Sequence, residues 1–210
     1  MNIKLGNYDV NVKIVYKNNR NIYFRFDENG FLVVTCPRNT LNDEIAMLIT
    51  KNEESLLKMY LKNQDIIKYN NEFWYLGNKY NVKYENNIEK AYLKDDSIFI
   101  KDDKMLDEFI TSEIERVFND EIEVCKKCFY NLPAFTLKTR KMKTRWGVCN
   151  RRDNTITLNT ELIRKKVELI DYVIIHEMAH FYEGNHSKKF WAIVGQACPN
   201  YKERRAELRK

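Results

Sequence analysis

The chain holds three histidines, and all of them lie in the stretch His176-Glu177-Met178-Ala179-His180-Phe181-Tyr182-Glu183-Gly184-Asn185-His186. The first two frame an H-E-x-x-H motif. On a helix, positions i and i+4 stand about 40° apart on one face, so His176 and His180 can share one metal ion. Glu177, one step round the helix, can reach water beside that ion. Nitrogen ligands, an open position for water and a carboxylate to accept a proton are the parts of a hydrolytic zinc site. His186 is the expected third ligand. The glutamates after it, Glu203 and Glu207, sit in a strongly basic tail.

The elements around these residues have to hold them still. Ile170, Val173, Ile174, Met178 and Phe181 recur at helical spacing and predict an apolar helix face beneath the motif. Gly184 and Asn185 tolerate the left-handed backbone that ends helices, so the chain can turn after Glu183 and return His186 to the site. Ser187 is placed to cap a further helix through Phe190, Trp191 and Val194, which Pro199 closes. Just ahead, Thr144–Cys149 and Thr155–Asn159 read as a β-hairpin beside the His176 helix. Ile156 and Leu158 should face inward, and Thr155, Thr157 and Asn159 outward. Arg145 would then lie on the strand nearest the metal, where its guanidinium can meet a carboxylate or a developing negative charge. Tyr172 and Tyr182 are rival donors by proximity in sequence. Trp146 and Trp191 read as core residues rather than stacking platforms.

Further upstream the pattern changes. Val10, Val12, Ile14 and Tyr16 alternate as a half-buried strand does. Ile22–Phe26 and Phe31–Thr35 flank Asp27-Glu28-Asn29-Gly30, a hairpin turn. A helix capped by Thr40 or Asn42 should carry Ile45, Leu48, Ile49, Leu56, Leu57 and Tyr60. Phe73–Leu76 and Tyr80–Tyr84 flank a second turn at Gly77-Asn78, and Ile98–Ile100 is one more strand. Leu106–Tyr130 reads as a long amphipathic helix. The fold class is therefore α+β: a β-rich N-terminal region over 1–102, then a metal-binding helical domain over 103–210 with a β-hairpin beside the active-site helix.

Composition bounds the rest. At 210 residues, 44% hydrophobic and 31% charged, the chain can bury a real core. Its start shows no apolar signal-peptide region, and no apolar run approaches a membrane span, so a cytoplasmic protein with no membrane partner is expected. Five cysteines, an odd number spread along the chain, fit reduced thiols. Cys125 and Cys128 form a lone C-x-x-C in a helical pattern and read as thiols without a metal. The formal net charge is +6. Basic residues gather at Lys138, Arg140, Lys141, Lys143 and Arg145, and again at Lys202, Arg204, Arg205, Arg209 and Lys210. They could recruit a nucleotide or nucleic acid weakly, though a solvated basic surface is the simpler account of them.

The motifs T-R-W-G-V-C-N, T-I-T-L-N, Y-V-I-I-H-E-M-A-H-F, N-H-S-K-K-F-W and P-N-Y-K-E-R-R, from about Lys143 to the C-terminus, closely resemble the YgjP-like metallopeptidase domain family. P-R-N-T-L-N-D-E-I and L-G-N-K-Y resemble its N-terminal half more loosely. Val148 stands where that family often carries a serine. The resemblance implies a zincin-type fold, distantly like the SprT-like and WLM-type proteases, with zinc (Zn2+) held by His176, His180 and His186 and with Glu177 as general base. The metzincin pattern fits less well. Glu183 occupies its glycine position, and no methionine follows Met178 to make a Met-turn.

Three function classes follow. The first is a zinc metallopeptidase acting on proteins or peptides, including a nucleic-acid-recruited, SprT-like form. The second is a nucleotide phosphohydrolase of pyrophosphatase type, using the same water activation. The third is a structural zinc module. An open three-histidine site with a glutamate beside it disfavours the third, because structural zinc sites are normally closed by four ligands.

Overall fold

The computed structural model describes residues 2–70 and 72–209; Lys210, the last of the basic tail, lies outside them. The chain divides into two compact units, Met1–Glu72 and Phe73–Lys210. The boundary expected at 102/103 differs from this division. The hairpin at Phe73–Tyr84 belongs to the second unit because its aromatics, among them Phe73, Tyr75 and Tyr80, pack on that unit's core.

In the first unit, strands β1 (Asn2–Leu5), β2 (Tyr8–Lys17), β3 (Tyr23–Phe26) and β4 (Leu32–Pro37) form one sheet in the order β1-β2-β4-β3. β2 and β4 run parallel, and β3 pairs antiparallel with β4. The β3–β4 turn uses the Asp27 carboxylate to accept from the Asn29 and Phe31 amides, while Gly30 takes φ +80°. A single helix was expected next. Instead α1 (Asn42–Lys51) and α2 (Glu53–Asn70) break at Asn52, whose side chain donates to the Leu48 carbonyl. Neither Thr40 nor Asn42 caps α1, which follows Leu41 without a side-chain cap. Val10, Leu32, Val34, Ile45 and Leu56 make this unit's core.

The second unit contains two sheets. β5 (Phe73–Tyr75), β6 (Asn78–Tyr84), β7 (Tyr92–Lys94) and β8 (Ser97–Ile100) form one, ordered β5-β6-β8-β7; β9 (Thr136–Arg140), β10 (Gly147–Asn150) and β11 (Thr155–Asn159) form the other, ordered β10-β11-β9. Between them runs α3 (Asp103–Lys126), capped by the Asp102 carboxylate accepting from the Met105 amide at 2.8 Å. α3 buries Ile114, Val117, Phe118 and Ile122, whereas Val124 faces solvent.

A short 3-10 turn (Thr160–Arg164) leads into α4 (Val167–Ala179), which packs against α3 and against β10. Ile170, Ile174 and Met178 are fully buried, each contributing about 1.5–3 kcal/mol of burial free energy. Leu169, Val173 and Ile175 are buried as well, so α4 is enclosed on most sides rather than along one stripe. Short helices α5 (Lys188–Ala197) and α6 (Tyr201–Glu207) close the chain. Among the described residues no helix is long and apolar enough to cross a membrane.

Candidate metal centre

α4 ends at Ala179, with His180 as its C-cap and 3-10-type bonds carrying the chain through Phe181 and Tyr182. The expected left-handed residue is absent from the turn, since neither Gly184 nor Asn185 has positive φ. Gly184 instead leaves room for Arg151, whose Nη1 would lie 2.8 Å from a β-carbon there. Asn185 Oδ1 accepts from the Ser187 amide at 3.1 Å, and Ser187 Oγ caps α5 through the Phe190 amide.

The result brings His176, His180 and His186 together, with one ligand atom of each lying within 4.8 Å of the others. His176 Nε2 and His186 Nε2 are 3.0 Å apart. Two imidazole nitrogens this close share either a proton or a cation. For a tetrahedral zinc with Zn–N near 2.0–2.1 Å, ligand nitrogens stand roughly 3.4 Å apart, so the spacing accommodates such an ion. His180 Nδ1 lies 3.1 Å from the Glu183 carbonyl. Donation there would leave Nε2 bare, which is how protein groups orient metal-binding imidazoles. His176 Nδ1 is buried and has no hydrogen-bond partner among the described residues. Burial and the neighbouring His180 push the His176 pKa down to about 3, so the ring is neutral, as ligation requires. A donor set of three imidazoles suits zinc and its first-row neighbours better than calcium or magnesium, which prefer oxygen.

Phe190 and Trp191 wall the triad. Phe190 contacts all three rings at centroid distances of 4.6–4.9 Å. Trp191 stacks on His186 at 5.6 Å and on Tyr201 at 5.2 Å.

Glu177 is 6% exposed. Burial raises its pKa to about 7, opposed by the Cys149 backbone amide and by the Arg145 charge. β10 crosses directly over the carboxylate. A β-carbon on Gly147 would lie 2.7 Å from Glu177 Cγ and Oε1, so this position admits only glycine without displacement.

The hairpin expected beside the His176 helix is present, with β10 and β11 antiparallel from Gly147↔Leu158 to Asn150↔Thr155. It begins later than expected, because Arg145 precedes β10 in a loop. Two of the residues expected to face outward are buried: Thr155 is 8% and Asn159 3% exposed. The reason for Asn159 is plain. Its side chain accepts from the Met142 and Glu161 amides and donates to the Met142 and Arg145 carbonyls, at 2.8–3.2 Å. It therefore pins the loop that carries Arg145.

A cavity of about 610 Å³ opens onto the triad, lined by Glu177, Tyr172, Arg145 and residues of β10. Arg151, Arg205 and Arg209 also line it; Arg205 and Arg209 belong to the tail that the sequence pattern left as undifferentiated basic charge, and Arg151 carried no signal there. Tyr182 is outside it, donating to the Tyr130 carbonyl at 2.7 Å and stacking on Phe129. Cys149 lines the cavity, but burial and Glu177 push its thiol up to about 11, so it is no thiolate nucleophile at neutral pH. Cys125 is buried and its thiol is likewise pushed up by burial; Cys128 is exposed.

Fold and cleft together are those of a metallohydrolase. More specifically, the chain belongs to the YgjP-like metallopeptidase domain family, which matches residues 20–210. Crystal structures of two metallopeptidase zymogens align with parts of it. Pyrococcus abyssi abylysin does so at 25% identity over 43% of this chain and 90% of its own, with TM-score 0.41. Methanocaldococcus jannaschii jannalysin does so at 19% identity over 46% and 97%, with TM-score 0.35. No curated protein matches the chain.

Proposed function

We propose that the protein is a zinc-dependent metallopeptidase in which His176, His180 and His186 hold the ion and Glu177 is the general base. The convergence of the chain's three histidines within 4.8 Å, one residue from a buried carboxylate, carries this reading. When bound, zinc would acidify a water toward a pKa of about 7 and polarise the scissile carbonyl.

The chain's own groups do the rest. Glu177 takes the proton from the attacking water as the new C–O bond forms. It then delivers that proton to the departing nitrogen as the C–N bond breaks, leaving a carboxylate and an amine. A carboxyl whose pKa is lifted toward 7 by burial suits both halves of that transfer. Arg145 and Tyr172, both on the cavity wall, are the candidates for meeting the negative charge that develops on the carbonyl oxygen. β10 is an edge strand, so an extended peptide can lie along it by strand addition. The free cysteines, with no disulfide among the described residues, support a reducing, cytoplasmic setting.

The test is Glu177→Gln. The amide keeps size and hydrogen bonding but cannot take a proton. The variant should bind zinc normally and lose at least about 10²-fold in peptide hydrolysis. Turnover at the wild-type rate by zinc-loaded variant protein would remove Glu177 as base. The phosphohydrolase alternative is favoured if the wild type hydrolyses nucleoside triphosphates but no peptide.

A further inference from the structure

Four arginines, Arg145, Arg151, Arg205 and Arg209, line the cavity over the triad, and Glu177 is the one acid on its wall. That acid is buried beneath β10. Among the described residues no carboxylate pairs with any of the four, whereas nearby lysines are satisfied: Lys141 by Glu161 at 3.0 Å and Lys166 by Glu207 at 3.0 Å. The arginines come from separate parts of the chain: the loop before β10, the turn after it, α6 and the C-terminal end. Arg205 has its guanidinium 4.7 Å from the Trp191 ring centroid, and Arg151 reaches over Gly184, where a β-carbon would meet its Nη1 at 2.8 Å. All four are solvent-exposed, so their guanidinium donors are free to meet an anion entering the cavity.

A second cavity, of about 380 Å³, shares Thr144, Arg145 and Val148 with the first. Arg140 and Lys143 line it, and it has no acidic residue on its wall. A chain lying through both cavities would pass seven cations, of which only Lys141 is paired, by Glu161, and Glu177, buried under β10, is the acid on their walls. Like charges collected around one exposed groove raise the positive potential there, although solvent and salt screen it, and that potential favours an anionic partner.

We propose that the groove selects peptide segments carrying several aspartates or glutamates beside the scissile bond. This rests on the metallopeptidase reading above and gives that reading its substrate class. Carboxylates are the occupant we commit to because the groove runs alongside β10, an edge strand with no strand paired on its outer side, a place where an extended peptide can be added. The apolar wall of Val148, Val173 and Leu208 can take the side chains between the charges.

Three sets of alanine-rich decapeptides, with glutamate, glutamine or lysine flanking a common centre, are digested by zinc-loaded protein at low and physiological salt. The glutamate set should be cleaved with kcat/KM about tenfold above the glutamine set. The gap should narrow as salt screens the groove, and the lysine set should be slowest. Arg140→Ala combined with Lys143→Ala should bring the ratio to about threefold. In parallel, the Glu177→Gln protein is titrated with the fluorescein-labelled glutamate peptide, followed by anisotropy. Unlabelled glutamate peptide, tripolyphosphate and oligothymidylate serve as competitors.

Equal cleavage of the glutamate and glutamine sets overturns the inference and leaves the peptidase standing. Displacement by tripolyphosphate or oligothymidylate at lower concentration than by the glutamate peptide also overturns it, and makes the groove a phosphate site. Failure to cleave any peptide overturns the peptidase reading alone, provided the glutamate peptide still binds about tenfold more tightly than the glutamine one.

Discussion

Gly147→Ala should disable the site without touching a ligand. The new methyl would sit 2.7 Å from Glu177 Cγ and Oε1 and 2.9 Å from Cδ. Ordinary contact needs roughly 3.5 Å, so carboxylate or strand must give by about 0.8 Å. α4 cannot retreat, because Val173, Ile174 and Met178 are packed beneath it. The strand is held on its other side by β11. The carboxylate therefore moves. A misplacement near 1 Å costs on the order of 10²-fold in rate, and overpacking costs about 1–3 kcal/mol of stability. Gly147 has no positive φ, so backbone strain adds nothing. The assay is peptide hydrolysis beside metal analysis and denaturant unfolding. We expect kcat to fall about 10²-fold with zinc content unchanged. In a Glu177→Gln background the same substitution should change hydrolysis little, since the group it displaces is already inert. A wild-type kcat in Gly147→Ala, or a loss of zinc matching the loss of rate, would refute the argument.

Other outcomes follow from the same geometry. His186→Ala should weaken zinc affinity at least about tenfold by metal-competition titration, because two imidazoles remain where three converge. Asn159→Ala should cost about 1–3 kcal/mol in denaturant unfolding, because backbone groups at Met142, Arg145 and Glu161 lose their partner. Asp171 is lifted from 3.8 to about 7 by burial and by Glu121, with Glu168 adding and Arg204 opposing. Its folded form thus holds a proton more tightly than its unfolded form, so its stabilising contribution is lost as pH rises from about 4 through 7. Asp171→Asn should flatten that part of the stability profile and, discounting for partial exposure, gain about 1 kcal/mol at pH 8. Unfolding midpoints at pH 5 and pH 8 measure it; an equal pH slope in both proteins would exclude Asp171 as the source.

Much of this was readable in the chain because local chemistry and tertiary packing agree. Ser187 caps α5 as its position before an apolar run suggests, and Ile156 and Leu158 are buried by strand alternation. Periodicity also foretold the apolar bed of α4. It could not tell that α4 would be enclosed on most sides, because a helix's second neighbour is a tertiary fact. The misreadings share that cause. Asn159 looks like an outward strand residue until the loop at Met142–Arg145 folds over it. Asn52 looks like mid-helix until its side chain takes the Leu48 carbonyl. The second hairpin turns at Leu76-Gly77, one residue before the expected Gly77-Asn78, and the strands on either side of it belong with α3 rather than with β1–β4, which alternation along a strand does not encode.

The site was legible to a different depth for ligands than for the groove around them. H-E-x-x-H carries its geometry in its spacing, because helix periodicity is the same in every helix. The arginines carry none. Arg205 sits in a run, Tyr201–Lys210, that reads as a basic tail; only when α6 forms, with Tyr201 stacking on Trp191 and Arg205 over the same ring, do two of its cations, Arg205 and Arg209, reach the cleft. Trp191 thus joins the two halves of the centre: it stacks on His186 and positions Arg205. A leucine there should keep the core volume partly filled yet loosen both. Trp191→Leu is expected to lower zinc affinity severalfold and, separately, to shrink the glutamate-over-glutamine ratio in peptide cleavage. Metal titration and the peptide sets read the two effects independently. Unchanged affinity with an unchanged ratio would leave Trp191 as a core residue and nothing more.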